Sequence, residues 1–147
     1  ALVDMEYILK KDPSYAVMNR QIEDLSKKWQ AEVTSYEKKA EQAYQSYQNE
    51  AAQLSAQQKK QREESIVALE KQAYELKRKY FGPEGELFKK RESLMKPIQD
   101  RVWVAMKELA RRGGLQLIID RTSSKIVYAD PGLDISDVVV STLGLDR

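Results

Sequence analysis

From Tyr15 to Leu54 the chain runs without Gly or Pro, and its apolar residues Met18, Ile22, Leu25, Trp29, Val33, Tyr36, Ala40, Tyr44, Tyr47 and Ala51 recur at steps of 3 or 4. This spacing predicts one long amphipathic helix. The steps repeat from Met18 to Trp29, Ala40 and Ala51, every 11 residues, which is about 3.67 residues per turn and the period of a nearly straight rod. At 1.5 Å per residue such a helix is roughly 60 Å long, well beyond the three-turn average of globular domains. Only a partner helix covers a stripe of that length.

The partner follows directly. Ser55 with Gln58 three residues on is a capping-box pattern that starts a new helix. Beyond it Ile66, Leu69, Ala73, Leu76 and Tyr80 form a second stripe, and a short connection folds it antiparallel against the first as an αα-hairpin. Counting outward from Ser55 sets Trp29 opposite about Phe81 and Tyr15 opposite about Met95.

Phe81-Gly82-Pro83-Glu84-Gly85 interrupts the return helix, because Pro has no amide donor and glycine costs helix stability. Helix is expected to resume near Glu84, with Leu87, Leu94, Ile98, Val102, Ala105 and Leu109 on its apolar face, and to stop at Gly113-Gly114 after Arg111-Arg112. Residues after Pro97 have no descending helix to pair with and are assigned to a body. Val102-Trp103-Val104-Ala105-Met106 is apolar all round, as in a helix buried on several sides.

The remaining apolar runs are β-rich. Leu115–Asp120 and Lys125–Ala129, separated by the turn-like Arg121-Thr122-Ser123-Ser124, predict a β-hairpin, and Leu2 to Met5 adds another strand. Asp134 and Asp137 are expected to cap a final helix that runs through Leu143. The class is therefore α+β: a long antiparallel helical hairpin over 15–96, a tentacle, on a small β body formed by 1–14 and 97–147.

Composition narrows the chemistry. With 33% charged residues and a strongly negative mean hydropathy, the chain has thin material for a compact core, and association with other copies supplies the missing burial. It has no Cys and no His, which removes thiol nucleophiles, disulfides, Cys/His zinc sites and imidazole bases. Adjacent carboxylates such as Glu23-Asp24 and Glu63-Glu64 diverge by about 100° on a helix and do not converge on one ligand. Neither catalysis nor a cofactor or metal is expected. No stretch approaches the roughly 20 apolar residues of a spanning helix.

Charge is uneven. Residues 56–112 hold fifteen Lys or Arg against nine Asp or Glu, net +6, whereas residues 1–55 hold seven against nine, net −2. Lys59, Lys60, Arg62, Lys77, Arg78, Lys79, Lys89, Lys90 and Arg91 are candidates for attracting acidic polypeptide or anionic lipid headgroups. For any single one of them an ordinary solvated coiled-coil face is the commoner explanation, so only the aggregate carries information. Tyr36, Tyr44 and Tyr47 stand where a rigid coiled coil prefers Leu or Ile; either they fill the hairpin seam or they leave the distal half loosely packed and flexible.

The order of parts resembles the Skp/OmpH family: an N-terminal Ala1-Leu2-Val3-Asp4-Met5 strand, a lysine-rich helical hairpin, a Leu117-Ile118-Ile119-Asp120 segment, and then Lys125–Asp130 and Leu133–Val139 like the family's closing strand and Asp-Ile-Ser-Asp-Val helix start. The resemblance covers essentially the whole chain. The Phe81–Gly85 interruption departs from the family's simplest pattern.

The resemblance implies a periplasmic homotrimer, its leader already removed, whose β segments assemble into a barrel-like hub while three tentacles enclose unfolded outer-membrane proteins without ATP. On that basis Leu2, Val3, Val102, Trp103, Met106, Leu117, Ile119, Ile126 and Tyr128 are expected in the trimer body. Tyr36, Tyr44, Tyr47, Lys59, Lys60, Arg62, Lys77, Arg78, Lys79 and Phe81 are expected to meet client, with anionic lipid or lipopolysaccharide as a further partner. A prefoldin-like cytosolic chaperone is the nearest alternative, but its β elements lie between its helices rather than at the chain ends. A structural or adaptor coiled coil that binds nucleic acid is the other. A net charge of only +2 and the lack of interleaved aromatic and basic residues on a β platform count against it.

Overall fold

A computed structural model describes residues 1–146. The elements in chain order are β1 (Leu2–Val3), α1 (Met5–Lys11), α2 (Pro13–Glu50), a 3-10 turn (Ala51–Gln53), α3 (Ala56–Phe81), α4 (Glu86–Gly113), β2 (Ile119–Asp120), a second 3-10 turn (Pro131–Leu133) and α5 (Ser136–Thr142). The chain divides into two compact units: a hairpin unit, Gln21–Lys90, and a terminal unit, Ala1–Arg20 with the residues from Arg91 onward.

In the hairpin unit the 11-residue stripe is realised. Val33 and Ala40 of α2 and Ile66 and Ala73 of α3 are buried, while Ile22, Leu25, Trp29, Tyr36, Tyr47 and Ala51 are half-buried. Tyr44 departs from the expected seam. Its ring is 48% exposed, and the half-buried Ala43 stands at the seam in its place, because a helix near 3.6 residues per turn drifts off an 11-residue repeat.

The chain reverses where the capping pattern predicts. Ser55 Oγ accepts from the Gln58 amide and Gln58 Oε1 accepts from the Ser55 amide, which satisfies two donors that the first turn of α3 leaves open. The expected register also holds. The Trp29 and Tyr80 rings stack at 4.6 Å and 1°, Tyr80 donates to Glu32 at 2.9 Å, and Tyr47 donates to Glu63 at 2.6 Å.

Between α3 and α4 the break is tight. Gly82 N–H bonds to the Arg78 carbonyl, Gly85 N–H to the Gly82 carbonyl, and Lys89 N–H back to the Gly85 carbonyl. A Cβ on Gly85 would stand 2.8 Å from the Tyr80 carbonyl oxygen and 2.9 Å from the Gly82 nitrogen, so the turn needs a residue without one. Helix resumes at Glu86, two residues later than expected, and continues through Pro97.

In the terminal unit Val3, Ile8, Val102, Val139 and Val140 form the buried core, with Met5, Met106, Leu109, Ile118, Ile135 and Leu143 packed around it. α1 lies inside residues 1–14, expected to belong to the β body with a strand at Leu2 to Met5. Asp4 accepts from the Tyr7 amide and caps it, and Asp12, itself buried, closes its end while pairing with Arg101 at 2.7 Å. Met18 and Ile98 are buried in this unit as well.

The expected β-hairpin is not formed. β2 pairs in parallel with β1, Leu2 opposite Ile119 and Val3 opposite Asp120, and on its other side β1 meets the chain at Asp134, where the Ile135 amide bonds to the Leu2 carbonyl. Lys125–Ala129 forms no strand. Asp120 folds the chain into a local turn by accepting from the amide and hydroxyl of Thr122, an Asx-type bond that competes with a strand ladder. Without a partner edge, β propensity alone leaves Val127 and Tyr128 in solvent.

Asp137 does not cap α5 as expected; it accepts from the Tyr7 hydroxyl at 2.6 Å. Nor does Asp134: the N-cap position is Ile135, which has no side-chain cap bond, and Asp134 Oδ1 instead accepts from the Ser136 amide in a local turn just before the helix. The glycine stop after α4 is a Schellman turn: Gly114 has φ +63° and the Leu115 amide reaches back to the Ala110 carbonyl.

Candidate functional site

The hairpin unit exposes more apolar surface than a sealed coiled coil. Tyr44, Val67, Tyr74 and Phe88 are all largely open to solvent. Where buried Ala40 and Ala73 form the floor, an open groove of 410 Å³ lies between α2 and α3, walled by Tyr44 and Tyr74. Glu37, Glu41, Glu70 and Lys77 edge it.

The three tyrosines named for client contact have different surroundings. Tyr36 carries Lys39 Nζ over its ring at 4.9 Å. Tyr44 accepts from Gln48 Nε2 at 2.9 Å. The Tyr47 hydroxyl is committed to Glu63, and that bond to a carboxylate, with further contributions from burial and the charge of Glu63, holds its pKa above the ordinary 10.0. Tyr80, bonded to Glu32, is raised for the same leading reason.

Among the basic candidates, Arg62 is paired with Glu50 and Lys79 Nζ sits 5.6 Å from the Tyr80 ring. Lys59 is half-buried; Lys60, Lys77, Arg78, Lys89, Lys90 and Arg91 are exposed, and Arg91 reaches Asn19 at 3.4 Å. Phe81 is half-buried at the end of α3, edge-on to Tyr80 at 6.4 Å. Around the break a wider groove of 620 Å³ gathers Arg78, Lys79 and Lys89. Glu75, Glu84 and Glu86 share it, so this groove has no net charge.

The body residues divide into two sets. Leu2, Val3 and Val102 are buried within the terminal unit, and Met106 and Ile119 are half-buried. Trp103 is 61% exposed, and Leu117, Ile126 and Tyr128 are open too. Val104 and Val127 are bare as well, so within one copy the Val102–Met106 run is not covered all round as expected, and Lys107 Nζ lies 5.6 Å from the Trp103 ring. A groove of 380 Å³ opens beside Leu2, bordered by Ile126, Val127 and Tyr128 and by Arg121 and Asp134, which pair at 2.7 Å.

Two carboxylates brace this unit. Burial opposes ionisation of Asp120, but hydrogen bonds from the Thr122 side chain and amide, the Met5 amide and Ser123 outweigh it and hold its pKa below 3.8. Asp134 is lowered likewise, by Ser136 and by Arg121 against the opposing effect of burial.

A family model described as Outer membrane protein (OmpH-like) matches residues 1–143. The chain belongs to the OmpH-like family. No curated protein matches it at a significant level. The OmpH-like assignment agrees with long helices joined by a capped reversal and a two-stranded sheet made from the two chain ends. Among the described residues of this OmpH-like chain no helix is long and apolar enough to cross a membrane.

Sequence reasoning missed Tyr74, Val67 and Phe88 because they lie off the helical stripes. An aromatic outside a stripe was the available signal for the first and last of these.

Proposed function

We propose that this OmpH-like chain is an ATP-independent holding chaperone of the periplasm that binds unfolded outer-membrane proteins and prevents their aggregation. One observation carries the reading: in a chain of this family, one copy leaves large apolar side chains uncovered on both units, Trp103, Val104, Leu117, Val127 and Tyr128 on one and Tyr44, Val67, Tyr74 and Phe88 on the other. Exposed apolar area on that scale marks surfaces that meet other polypeptide.

The two sets serve different partners. Those of the terminal unit meet further copies of the chain in a homotrimer, where Lys125–Ala129, which forms no strand in one copy, gains a partner edge. Those of the hairpin unit, set among long Lys and Arg side chains, meet client through weak, distributed contacts whose affinity comes from multiplicity. Holding without folding requires that no single contact be strong. Anionic lipid or lipopolysaccharide is a further partner of the basic surplus on 56–112.

The test is scattering by a urea-unfolded outer-membrane barrel protein diluted into buffer without nucleotide. The chain in molar excess is expected to suppress aggregation, and vesicles with anionic headgroups are expected to bind it only at low salt. Undiminished scattering would remove the holding function.

A further inference from the structure

The groove over Ala40 and Ala73 has a property that the holding reading does not require. Its floor is apolar and its walls are two tyrosines, 48% and 66% exposed. At its rim stand Glu37, Glu41 and Glu70, and none of the three takes part in an ion pair among the described residues, in a unit where Glu23, Glu50 and Glu75 each do. Lys77 is the one cation on the rim. Three carboxylates against one ammonium give this groove a net −2, although residues 56–112 as a whole carry +6.

Two of the three carboxylates, Glu37 and Glu41, stand on α2, so the groove takes the sign of the 1–55 arm and not that of the basic return arm. An anionic segment is repelled here and a cation is drawn in. The tyrosine faces favour the same occupant, because a ring quadrupole attracts an ammonium or guanidinium placed over it, Arg more often than Lys. The Tyr74 hydroxyl makes no hydrogen bond among the described residues, and the alanine floor leaves room for an aliphatic stem to lie flat while its charged head reaches the carboxylates. The open volume of 410 Å³ suits one long side chain with an apolar neighbour rather than a folded element.

The geometry points to this groove as a subsite for a basic side chain, Arg above all, carried by an unfolded client segment beside an aliphatic or aromatic residue. It rests on the holding-chaperone reading and deepens it: basic surface elsewhere on α3 and α4 meets acidic stretches of the client, and this groove meets basic ones.

The experiment uses the full chain and a short fluorescent, unstructured peptide in which Arg alternates with Leu and Tyr, beside twins carrying Gln or Glu in place of Arg. By anisotropy at low salt the Arg peptide is expected to bind about five-fold more tightly than the Gln twin, as a few partly exposed ion-pair and ring contacts would give. Combining Glu37→Gln, Glu41→Gln and Glu70→Gln is expected to abolish that preference. Combining Asp24→Asn, Glu64→Gln and Glu92→Gln, which removes equal charge away from the groove, is expected to keep it, and circular dichroism checks that both variants remain helical. Equal affinity for the Arg and Gln peptides, tighter binding of the Glu twin, or equal losses in the two variants would overturn the proposal. Retention of an unfolded barrel protein is measured on the same samples. Retention without Arg preference removes the subsite and leaves the chaperone, whereas Arg preference without retention leaves the subsite and removes the chaperone.

Discussion

Ile8 sits at the centre of the terminal unit. It is completely buried and packs among Val3, Val102, Val139 and Val140, on a helix of seven residues that has little stability of its own. Replacing Ile8 with Ala removes three carbons from this core, worth about 2.4 kcal/mol at about 0.8 kcal/mol per buried methylene, and the cavity left between α1, α4 and α5 raises the total to about 3–4 kcal/mol. At about 2–4 °C per kcal/mol for a chain near this length, the melting temperature should fall by roughly 10 °C. Ile8→Val should cost about 1 kcal/mol. Val67→Ala, on the open face of α3 at 60% exposure, should stay within about 0.5 kcal/mol. Urea titration at fixed protein concentration, with the slope compared across variants, measures all three. A loss below 1 kcal/mol for Ile8→Ala, or a loss as large for Val67→Ala, would refute this placement of the core.

Gly85→Ala should destabilise the chain by about 1–3 kcal/mol, since the new Cβ meets backbone atoms of Lys79, Tyr80 and Gly82 at 2.8–2.9 Å; thermal melts of this variant and of Pro83→Ala, expected to be nearly neutral, test it. Asp120 and Asp134 have folded pKa values below 3.8, so the stability they confer is fully present above that value and is lost as pH falls through the folded values. Melting temperature should therefore hold down to about pH 5 and drop below about pH 4, with a smaller drop in Asp120→Asn. Tyr7, Tyr47 and Tyr80 are raised above 10.0 by their carboxylate partners, so their contribution is present below that value and lost as pH rises through the higher folded values. Tyrosinate absorbance, read with each residue replaced in turn by Phe, should show Tyr7, Tyr47 and Tyr80 titrating later in the native protein than in urea. Hydrogen exchange faster in the distal half of the hairpin than near Trp29 would establish flexibility toward its tip, and equal rates would exclude it.

The hairpin was legible because its information is local and periodic. The stripe from Met18 to Ala51 and the Ser55/Gln58 cap each specify structure within a few turns, and the register that follows places Trp29 within one residue of its stacking partner. The terminal unit was legible only in part, because its structure depends on pairings more than a hundred residues apart. β1 takes β2 as a parallel neighbour, Tyr7 takes Asp137, and the Asp4 amide takes Ser136; none of these leaves a local pattern. The strand expected at Lys125–Ala129 failed because propensity does not supply an edge, and α1 was overlooked because seven residues with one buried side chain barely register as periodic. In the candidate client groove Tyr44 was found as an aromatic on a stripe, although it stands off the seam. Tyr74 and the carboxylates around it came together only once the two helices were set side by side.

The central claim is that copies of this chain associate through the terminal unit and together retain an unfolded barrel protein. Size exclusion with multi-angle light scattering, run with and without a urea-unfolded outer-membrane protein, tests it in one measurement. The expected result is a particle of about three times the 17.0 kDa chain mass, shifted to a larger defined mass that carries the client. A 17.0 kDa species eluting apart from an aggregated client would contradict it.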